Sequence, residues 1–451
     1  METLQEFDFV ALNFDRDGTL TNPASWTEFK AAAARPGGPT DAIFIAHGFR
    51  NDETEARGLY SEFLRTFRRN MAQASVAGAL APRRFLVAGI FWPSKAFRES
   101  FGDGGVQSAD NDAVQLEFAR EQLAELRDLA RTPEQERQIA EAMRLLPSLE
   151  GNEGAQDEFA ALVLSIAEQE GAVLDPSDGF DRIQNTPGST LLAKLQAPVI
   201  LPTRRRDPDE GGVLAIDDGS SFGGEGEGQG LRAVFGSIFG RVGQLLNLTS
   251  WYVMKTRSGT VGETGVATCV RQLRGERPGL RVHLVGHSLG GRLMAACAKA
   301  LAQPPVVHVH SLTLLQAAFS HFGLSADNRE GTRGFFRDVI EQEVVEGPMV
   351  ATFSFEDAVV GKAYAIASRL AGDNVQAVGD RHDPFGGIGR NGAQNLTEST
   401  EGPLQAVGSA YAFSPRVVHC LDGSGGLITS HGDVENENVT WAFASAVAST
   451  P

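Results

Sequence analysis

The sequence has few of the features that build disulfide frameworks, cysteine metal sites or membrane spans. Its 451 residues include only three cysteines, Cys269, Cys297 and Cys420, which are too widely spaced for a metal motif or a disulfide framework. No stretch approaches the roughly 18 consecutive apolar residues of a membrane helix. The first residues lack a basic region followed by an apolar run. We therefore expect a cytoplasmic protein without an integral membrane segment.

Positive charge is also scarce. The chain has 40 lysines and arginines against 57 aspartates and glutamates, which gives a formal net charge of −17. Such an excess of negative charge disfavours nucleic acid or an anionic membrane surface as the main partner. Because 42% of the residues are hydrophobic, the chain can bury a large core. The composition therefore predicts a globular protein with no nucleic-acid partner.

One stretch combines a strand, a tight turn and a helix around a serine. Val282–Val285 is a short apolar run typical of a buried parallel strand, and Arg292–Leu301 has the pattern of a helix. Between them, Gly286–Gly290 reads Gly-His-Ser-Leu-Gly. A turn of this kind strains the serine backbone and needs neighbours with almost no side chain, and the following helix directs N–H groups at the site. The context predicts that Ser288 is the nucleophile of a strand–turn–helix elbow.

With the sequence Gly-His-Ser-Leu-Gly-Gly at Gly286–Gly291, the chain resembles the α/β-hydrolase superfamily. The resemblance covers about 1–94 and 251–451. It implies an α/β-hydrolase fold, with a mostly parallel central sheet flanked by helices. It also implies a serine, an acid and a histidine in that chain order, and no metal or organic cofactor. A looser resemblance to a bacterial group of these hydrolases is carried by His47–Asp52, Phe91–Ser94, Met254–Gly262 and Asp383–Gly389.

The resemblance implies where the acid of the catalytic triad lies. The apolar run Val350–Phe355 predicts a strand, and superfamily members place the acid just after such a strand. Asp357 fits this position, and Glu356 is the alternative. Asp380 and Asp383 lie in a longer loop and fit it less well. A purely structural reading makes Asp357 the cap of the helix that follows it.

The base and the oxyanion donors follow from the same resemblance. His431 lies after the last predicted strand, Arg416–Leu421, where the superfamily places its catalytic histidine. A His-Gly element follows the strand Asp41–Ala46, and the backbone N–H of Phe49 would then donate to the oxyanion together with that of Leu289. The residues expected to line the substrate site are His47, Gly48, Trp92 and His287. Packing in the core is the alternative role for Trp92.

A second motif suggests a different chemistry. Asp15–Thr19 reads Asp-Arg-Asp-Gly-Thr directly after the apolar run Phe7–Phe14. This pattern also opens haloacid-dehalogenase-type phosphatases, in which Asp15 would attack phosphorus and Asp17 would handle the leaving-group proton. Asp-Gly is equally a strong signal for a hairpin turn. Because the chain offers no convincing downstream lysine and acidic pair for magnesium, we expect a hairpin turn without chemistry.

A long insertion interrupts the expected sheet pattern between residues 95 and 250. Helical periodicity predicts several helices within it. The acidic, glycine-rich segment 207–230 cannot bury enough apolar surface to fold alone, so we expect it to be flexible. Because the insertion starts at the carboxyl end of a strand, we expect a mainly helical cap over the site, with peripheral decoration as the alternative. The helices are expected at Val114–Leu129, Thr132–Leu146, Ala155–Glu168 and Leu231–Leu246.

Together these features predict a serine hydrolase. Ser288 would attack an acyl carbonyl, His431 would take its proton, and Asp357 would orient His431. A carboxylic ester is the expected bond, as in esterases and lipase-like enzymes, and the substrate would be a small-molecule or lipid-like acyl compound. Thioesterase, or amidase and peptidase, activity with the same residues is the first alternative. A non-catalytic binding protein on a hydrolase core and the phosphatase are the others.

Overall fold

The computed structural model contains one β-sheet and many helices within the described residues. No helix in the described parts of the chain is long and apolar enough to cross a membrane. The described residues are 1–49, 51–94, 112–196, 201, 237–329, 331–372 and 380–451. The chain divides into two compact units. The first unit comprises Met1–Ser94, Arg257–Gly361 and Gly386–Pro451, and the second comprises Lys95–Thr256 and Lys362–Phe385.

A nine-stranded sheet forms the centre of the first unit. Its strands are β1 (Glu2–Leu4), β2 (Phe7–Asn13), β3 (Asp41–Ala46), β4 (Phe85–Phe91), β5 (Arg281–His287), β6 (Ser311–Leu315), β7 (Met349–Phe353), β8 (Ser399–Pro403) and β9 (Val418–Asp422). The strand order is β1-β2-β4-β3-β5-β6-β7-β9-β8. Only the β1–β2 pair is antiparallel. The expected α/β class with a mostly parallel sheet is confirmed.

The α-helices of the described residues are numbered in chain order. They are α1 (Pro23–Ala34), α2 (Glu53–Met71), α3 (Ala74–Leu80), α4 (Asp112–Asp128), α5 (Pro133–Leu145), α6 (Glu153–Gln169), α7 (Phe180–Gln184), α8 (Gly188–Lys194), α9 (Ile238–Thr260), α10 (Ala267–Glu276), α11 (Leu289–Leu301), α12 (Arg337–Glu341), α13 (Ala358–Ala371), α14 (Ile388–Asn391) and α15 (Glu437–Ala448). A π-helical segment, Val261–Val266, joins α9 to α10. Shorter 3₁₀ turns lie at Leu146–Ser148, Ala172–Leu174 and Pro176–Asp178.

Strands β3 and β4 have the bounds that their apolar runs predict, whereas β5, β7 and β9 begin and end one or two residues away from the predicted bounds. Every residue of β3 and β4 is buried, because a parallel sheet covered on both faces needs apolar side chains on both. In the register of the sheet, Ala46 lies opposite Gly286, and His287 lies opposite Leu315. The carboxyl ends of β3, β5 and β6 therefore meet at one edge. Residues that follow these strands converge there.

Aromatic packing fixes α2 and α15 on this unit. The apolar stripe of α2 is buried as its periodicity predicts. Phe67 stacks on Phe7 with ring centroids 5.7 Å apart, and Phe443 of α15 contacts Phe63 and Phe67 at 5.2 and 4.9 Å. Each fully buried phenylalanine contributes on the order of 1.5–3 kcal/mol. Asp52 and Glu55 form a capping box that starts α2.

The described residues of the second unit are mostly helical. Lys255 of α9 lies within 2.9 Å of the Asp175 carboxylate and also contacts Asp178, and all three side chains are buried. Since an isolated buried ammonium group is unfavourable, these carboxylates hold the 3₁₀ turns against α9. The second unit also includes Lys362–Phe385, which we expected in the hydrolase core. The segment 207–230 lies outside the described residues, so its flexibility stays a prediction.

Candidate active site

Ser288 occupies a strained turn between β5 and α11. Its backbone has φ 56° and ψ −124°, a combination that residues other than glycine rarely adopt and that is typical of functional sites. The helix α11 begins at Leu289, one turn before the predicted start at Arg292. The glycines after Leu289 are poor helix formers, so the sequence pattern hides this first turn, which tertiary packing stabilises.

Close backbone contacts explain the glycines of the elbow. A Cβ atom on Gly290 would lie 2.4 Å from the main-chain oxygens of both Ala46 and His47. A Cβ atom on Gly286 would lie 2.2 Å from the oxygen of Gly290. These distances are shorter than any van der Waals contact allows, so only glycine fits. The first turn of α11 can therefore pack directly on the end of β3.

The loop after β3 lies beside the serine. A Cβ atom on Gly48 would lie 2.8 Å from Cβ of Ser288 and 3.2 Å from Nδ1 of His287. The backbone N–H of Leu289 has no hydrogen-bond acceptor among the described residues. A donor without a partner beside a nucleophile is what an oxyanion hole requires. Phe49, the other expected donor, directly follows Gly48 in the chain.

His47 and Trp92 hold this loop in place. The rings stack with centroids 5.7 Å apart, and the indole Nε1 of Trp92 donates to the main-chain oxygen of His47 at 3.1 Å. The backbone N–H of His47 donates to the Tyr60 hydroxyl at 2.9 Å. Burial lowers the pKa of His47 to about 4, so its imidazole is neutral at pH 7. His47 and Trp92, two of the four residues expected to line the substrate site, are thus buried and packed against each other.

Asp357 and His431 form a direct pair. Nδ1 of His431 lies 2.8 Å from Oδ2 of Asp357, and the Asp357 side chain is fully buried. Its other carboxylate oxygen accepts from the backbone N–H of Val360 at 2.9 Å, so Asp357 also caps α13. The Glu356 carboxylate instead accepts from Gly425 N–H at 3.1 Å. Of the two candidate acids, the structure brings Asp357 to His431.

The other acidic candidates make different contacts. Asp383 accepts from the Ser368 hydroxyl at 2.6 Å and from the Phe385 backbone N–H at 2.9 Å. Asp380 accepts from the His382 backbone N–H at 2.7 Å. Both residues belong to the second unit. These contacts shape their own loop.

Two side chains at strand ends hold the His431 loop. Nε2 of His287 lies 2.9 Å from the main-chain oxygen of His431, and the two rings are 4.7 Å apart. Because a carbonyl only accepts, this nitrogen must carry the His287 proton. Burial, together with the nearby His431, holds the pKa of His287 well below its ordinary value. Gln316, which follows β6, also donates to the His431 oxygen at 3.3 Å.

No hydrogen bond joins the Ser288 hydroxyl to His431 within the described residues. Catalytic hydrogen bonds are often long in ligand-free enzymes and shorten when a substrate binds. His287 and Gln316 place the His431 backbone next to the elbow. The arrangement can therefore supply a hydroxyl, an oriented imidazole and the backbone N–H of Leu289 at one edge of the sheet.

Sequence reasoning missed Gln316 and Arg390. Gln316 is fully buried with φ 37°, and its position directly after an apolar strand was the available signal. Arg390 of α14 donates to the main-chain oxygens of Phe355 and Asp357, the latter at 3.3 Å. Burial lowers the pKa of Arg390 to about 10, and the charge of Asp357 opposes this shift. No local pattern indicates these contacts, because they join residues distant in the chain.

The alternative motif forms a turn. The backbone N–H of Asp15 donates to Thr19 at 2.9 Å, and the Asp15 carboxylate accepts from the N–H groups of Asp17 and Thr19. Phe14 and Leu20 form an antiparallel bridge, so the expected hairpin turn is present. Among the described residues, no group of three or more His, Cys, Asp or Glu side chains is arranged to hold a metal ion.

Comparisons of the chain with protein-family models, with curated proteins and with solved structures find no match. The residues of the site and their geometry are therefore the basis for a functional assignment.

Proposed function

We propose that this chain is an α/β hydrolase that cleaves a carboxylic ester through an acyl-enzyme on Ser288. The observation that carries the proposal is the strained serine on a strand–turn–helix, at the same sheet edge as a histidine 2.8 Å from a buried carboxylate. Backbone strain of this kind is frequent at functional sites.

In the proposed reaction, the Ser288 hydroxyl oxygen bonds to the acyl carbon and its proton moves to Nε2 of His431. The Asp357 carboxylate stays ionised and stabilises the imidazolium. The N–H groups of Leu289 and Phe49 hold the oxyanion, and each such donor is typically worth about 10²–10³ in kcat. The alcohol leaves with the proton from His431. Water then attacks the acyl-enzyme, with His431 again taking and returning a proton.

Several parts of the proposal are inferred by analogy. Thioester and amide bonds remain alternatives, because the same residues can cleave them. A lipid-like acyl group and a cap formed by residues 95–250 stay predictions. The non-catalytic binding role and the phosphatase chemistry at Asp15 and Asp17 are the remaining alternatives.

A fluorophosphonate probe tests the nucleophile directly. We expect the probe to label the wild-type chain at Ser288 and the Ser288→Ala variant to lose both labelling and hydrolysis of a short p-nitrophenyl ester. Ser445→Ala is the matched control. Its hydroxyl is buried in α15 and has no hydrogen-bond partner among the described residues, so its removal should leave folding and labelling unchanged.

Three results would contradict the proposal. Labelling that persists in Ser288→Ala would place the nucleophile elsewhere. A well-folded wild-type chain that is neither labelled nor active on esters, thioesters or amides would favour the binding protein. Magnesium-dependent phosphatase activity that Ser288→Ala retains and Asp15→Asn abolishes would establish the phosphatase.

A further inference from the structure

A second cleft lies in the first unit, at the amino ends of β3, β4 and β5. Ser288 follows the carboxyl end of β5, so the length of that strand separates the cleft from the candidate active site. The cleft has a volume of about 410 Å³. Three chain segments line it: the α1–β3 loop, the α10–β5 loop and the residue just before β4. Its four charged side chains are all arginines: Arg35, Arg84, Arg277 and Arg281.

Carboxylates do not balance these four charges. Arg277 makes no side-chain hydrogen bond or ion pair within the described residues, and Arg84 only donates to the neutral main-chain oxygen of Gly38 at 2.7 Å. Arg35 pairs with Asp8 at 2.7 Å. Arg281 donates to the Pro451 main-chain oxygen and lies 3.8 Å from the buried Asp41 carboxylate, which Arg83 contacts more closely. The cleft therefore keeps net positive charge, on a chain whose formal charge is −17.

Helix capping explains the positions of only two of these four arginines. Arg35 and Arg277 occupy the C-cap positions of α1 and α10, where a cation is favourable by about 0.3–1 kcal/mol. Arg84 and Arg281 lie between them, at the starts of strands, where no helix dipole favours a cation. All four side chains nevertheless line the same cleft. A cleft lined by charges of one sign attracts ligands of the opposite sign.

Backbone donors complement the arginines. The N–H groups of Gly37 and Gly279 have no acceptor among the described residues, and both glycines line the cleft. A Cβ atom on either would meet nothing within 4 Å, so the backbone is open on the side from which a side chain would project. Exposed glycine N–H groups beside cationic side chains are common in phosphate-binding sites.

The lining also indicates what kind of anion fits. It contains no aromatic ring, and apart from prolines and Ala34 its only apolar side chain is Leu280, so a base or an acyl chain would find little to pack against. Guanidinium groups match the oxygens of phosphate in pairs. The volume falls within the range of about 300–1,000 Å³ typical of small-ligand sites. We propose that this cleft binds a multiply charged phosphate ligand through Arg84, Arg277 and the flanking arginines.

Titration calorimetry that measures the binding of inorganic pyrophosphate to the whole chain tests the proposal. We expect saturable binding that weakens with added salt, because exposed charges are screened. The Arg84→Gln/Arg277→Gln double variant should bind at least about tenfold more weakly, which corresponds to about 1.4 kcal/mol. Arg65→Gln is the matched control, since it removes one exposed arginine charge from α2 at its pair with Glu62. The single variant Arg277→Gln serves if the double variant does not fold.

A further measurement identifies the source of the ligand. Sedimentation with vesicles containing phosphatidic acid, and not with neutral vesicles, would identify a lipid headgroup, whereas pyrophosphate binding alone would identify a free phosphate compound. No pyrophosphate binding, or equal binding by the double variant, would overturn the proposal. A double variant that binds pyrophosphate like the wild type and loses only thermal stability would also overturn it, because the two arginines would then serve the fold alone. Hydrolysis of small esters should be unchanged in every variant, so this test stands apart from the proposed hydrolase activity.

Discussion

The loss of stability on acidification tests the burial of His47, the first residue after β3. Burial lowers its pKa from 6.5 to about 4. Between these two pH values the imidazole is mostly protonated in the unfolded chain and mostly neutral in the folded chain. Stability therefore decreases as the pH falls through this window and is fully present above it. The difference between the two pKa values corresponds to about 3 kcal/mol in total, of which about 2 kcal/mol is lost at pH 5.

The His47→Asn variant isolates this contribution. An asparagine amide can donate to the Gly48 main-chain oxygen, as Nδ1 of His47 does at 3.0 Å, but it does not titrate. We expect wild-type stability to fall by about 2 kcal/mol more than that of the variant between pH 7 and pH 5. Urea unfolding followed by tryptophan fluorescence measures this, since Trp26, Trp92 and Trp441 belong to the first unit. Between pH 7 and pH 8 the two proteins should change alike.

An equal pH dependence in both proteins would refute the reasoning, because it would mean that His47 is protonated as readily in the folded chain as in the unfolded one. A smaller fall in the wild type than in the variant would contradict it more strongly. That outcome would require a partner that stabilises the imidazolium more than burial opposes it. The charge of Glu55 raises the pKa of His47 less than burial lowers it, and no carboxylate of the described residues hydrogen-bonds to His47.

Three substitutions test the proposed catalytic geometry. Asp357→Asn should lower kcat by about 10⁴ because the imidazole loses its orienting carboxylate. Glu356→Gln should leave kcat within a few-fold of the wild-type value. If ester hydrolysis assays showed the reverse, the acid would be misassigned. Gly48→Ala should lower kcat by about 10²–10³ with little change in KM, since its Cβ would press on Ser288 and displace the Phe49 N–H. A normal kcat in that variant would exclude the Phe49 N–H as an oxyanion donor.

The inner strands could be read from the sequence because burial on both faces leaves a local record. Asp41–Ala46 and Phe85–Phe91 are nearly unbroken apolar runs, and the strands begin and end where the runs do. The edge strand β8 leaves no such record. Its sequence Ser-Thr-Glu-Gly-Pro is polar and largely exposed, as suits an edge that must not pair with another chain.

The candidate site likewise has a part that the sequence predicts and a part that only the packed structure shows. The glycines around Ser288 and the strand–helix context are local, so they predicted the elbow from sequence. The choice between Asp357 and Glu356 was open, because adjacent residues after a strand differ only in where their side chains point. The 2.8 Å contact between His431 and Asp357 joins residues 74 positions apart, and only the packed sheet brings them together.

By itself, therefore, the sequence determined the α/β class, the inner strands and the turn that strains Ser288, since each depends on neighbours in the chain. Tertiary structure alone decided the strand order, the contacts of Gln316 and Arg390 with the Ser288 side of the sheet, and the grouping of four arginines at its other edge. These features depend on distances between segments far apart in sequence. Hydrophobic periodicity reports which side of an element is buried, but not which other element covers it.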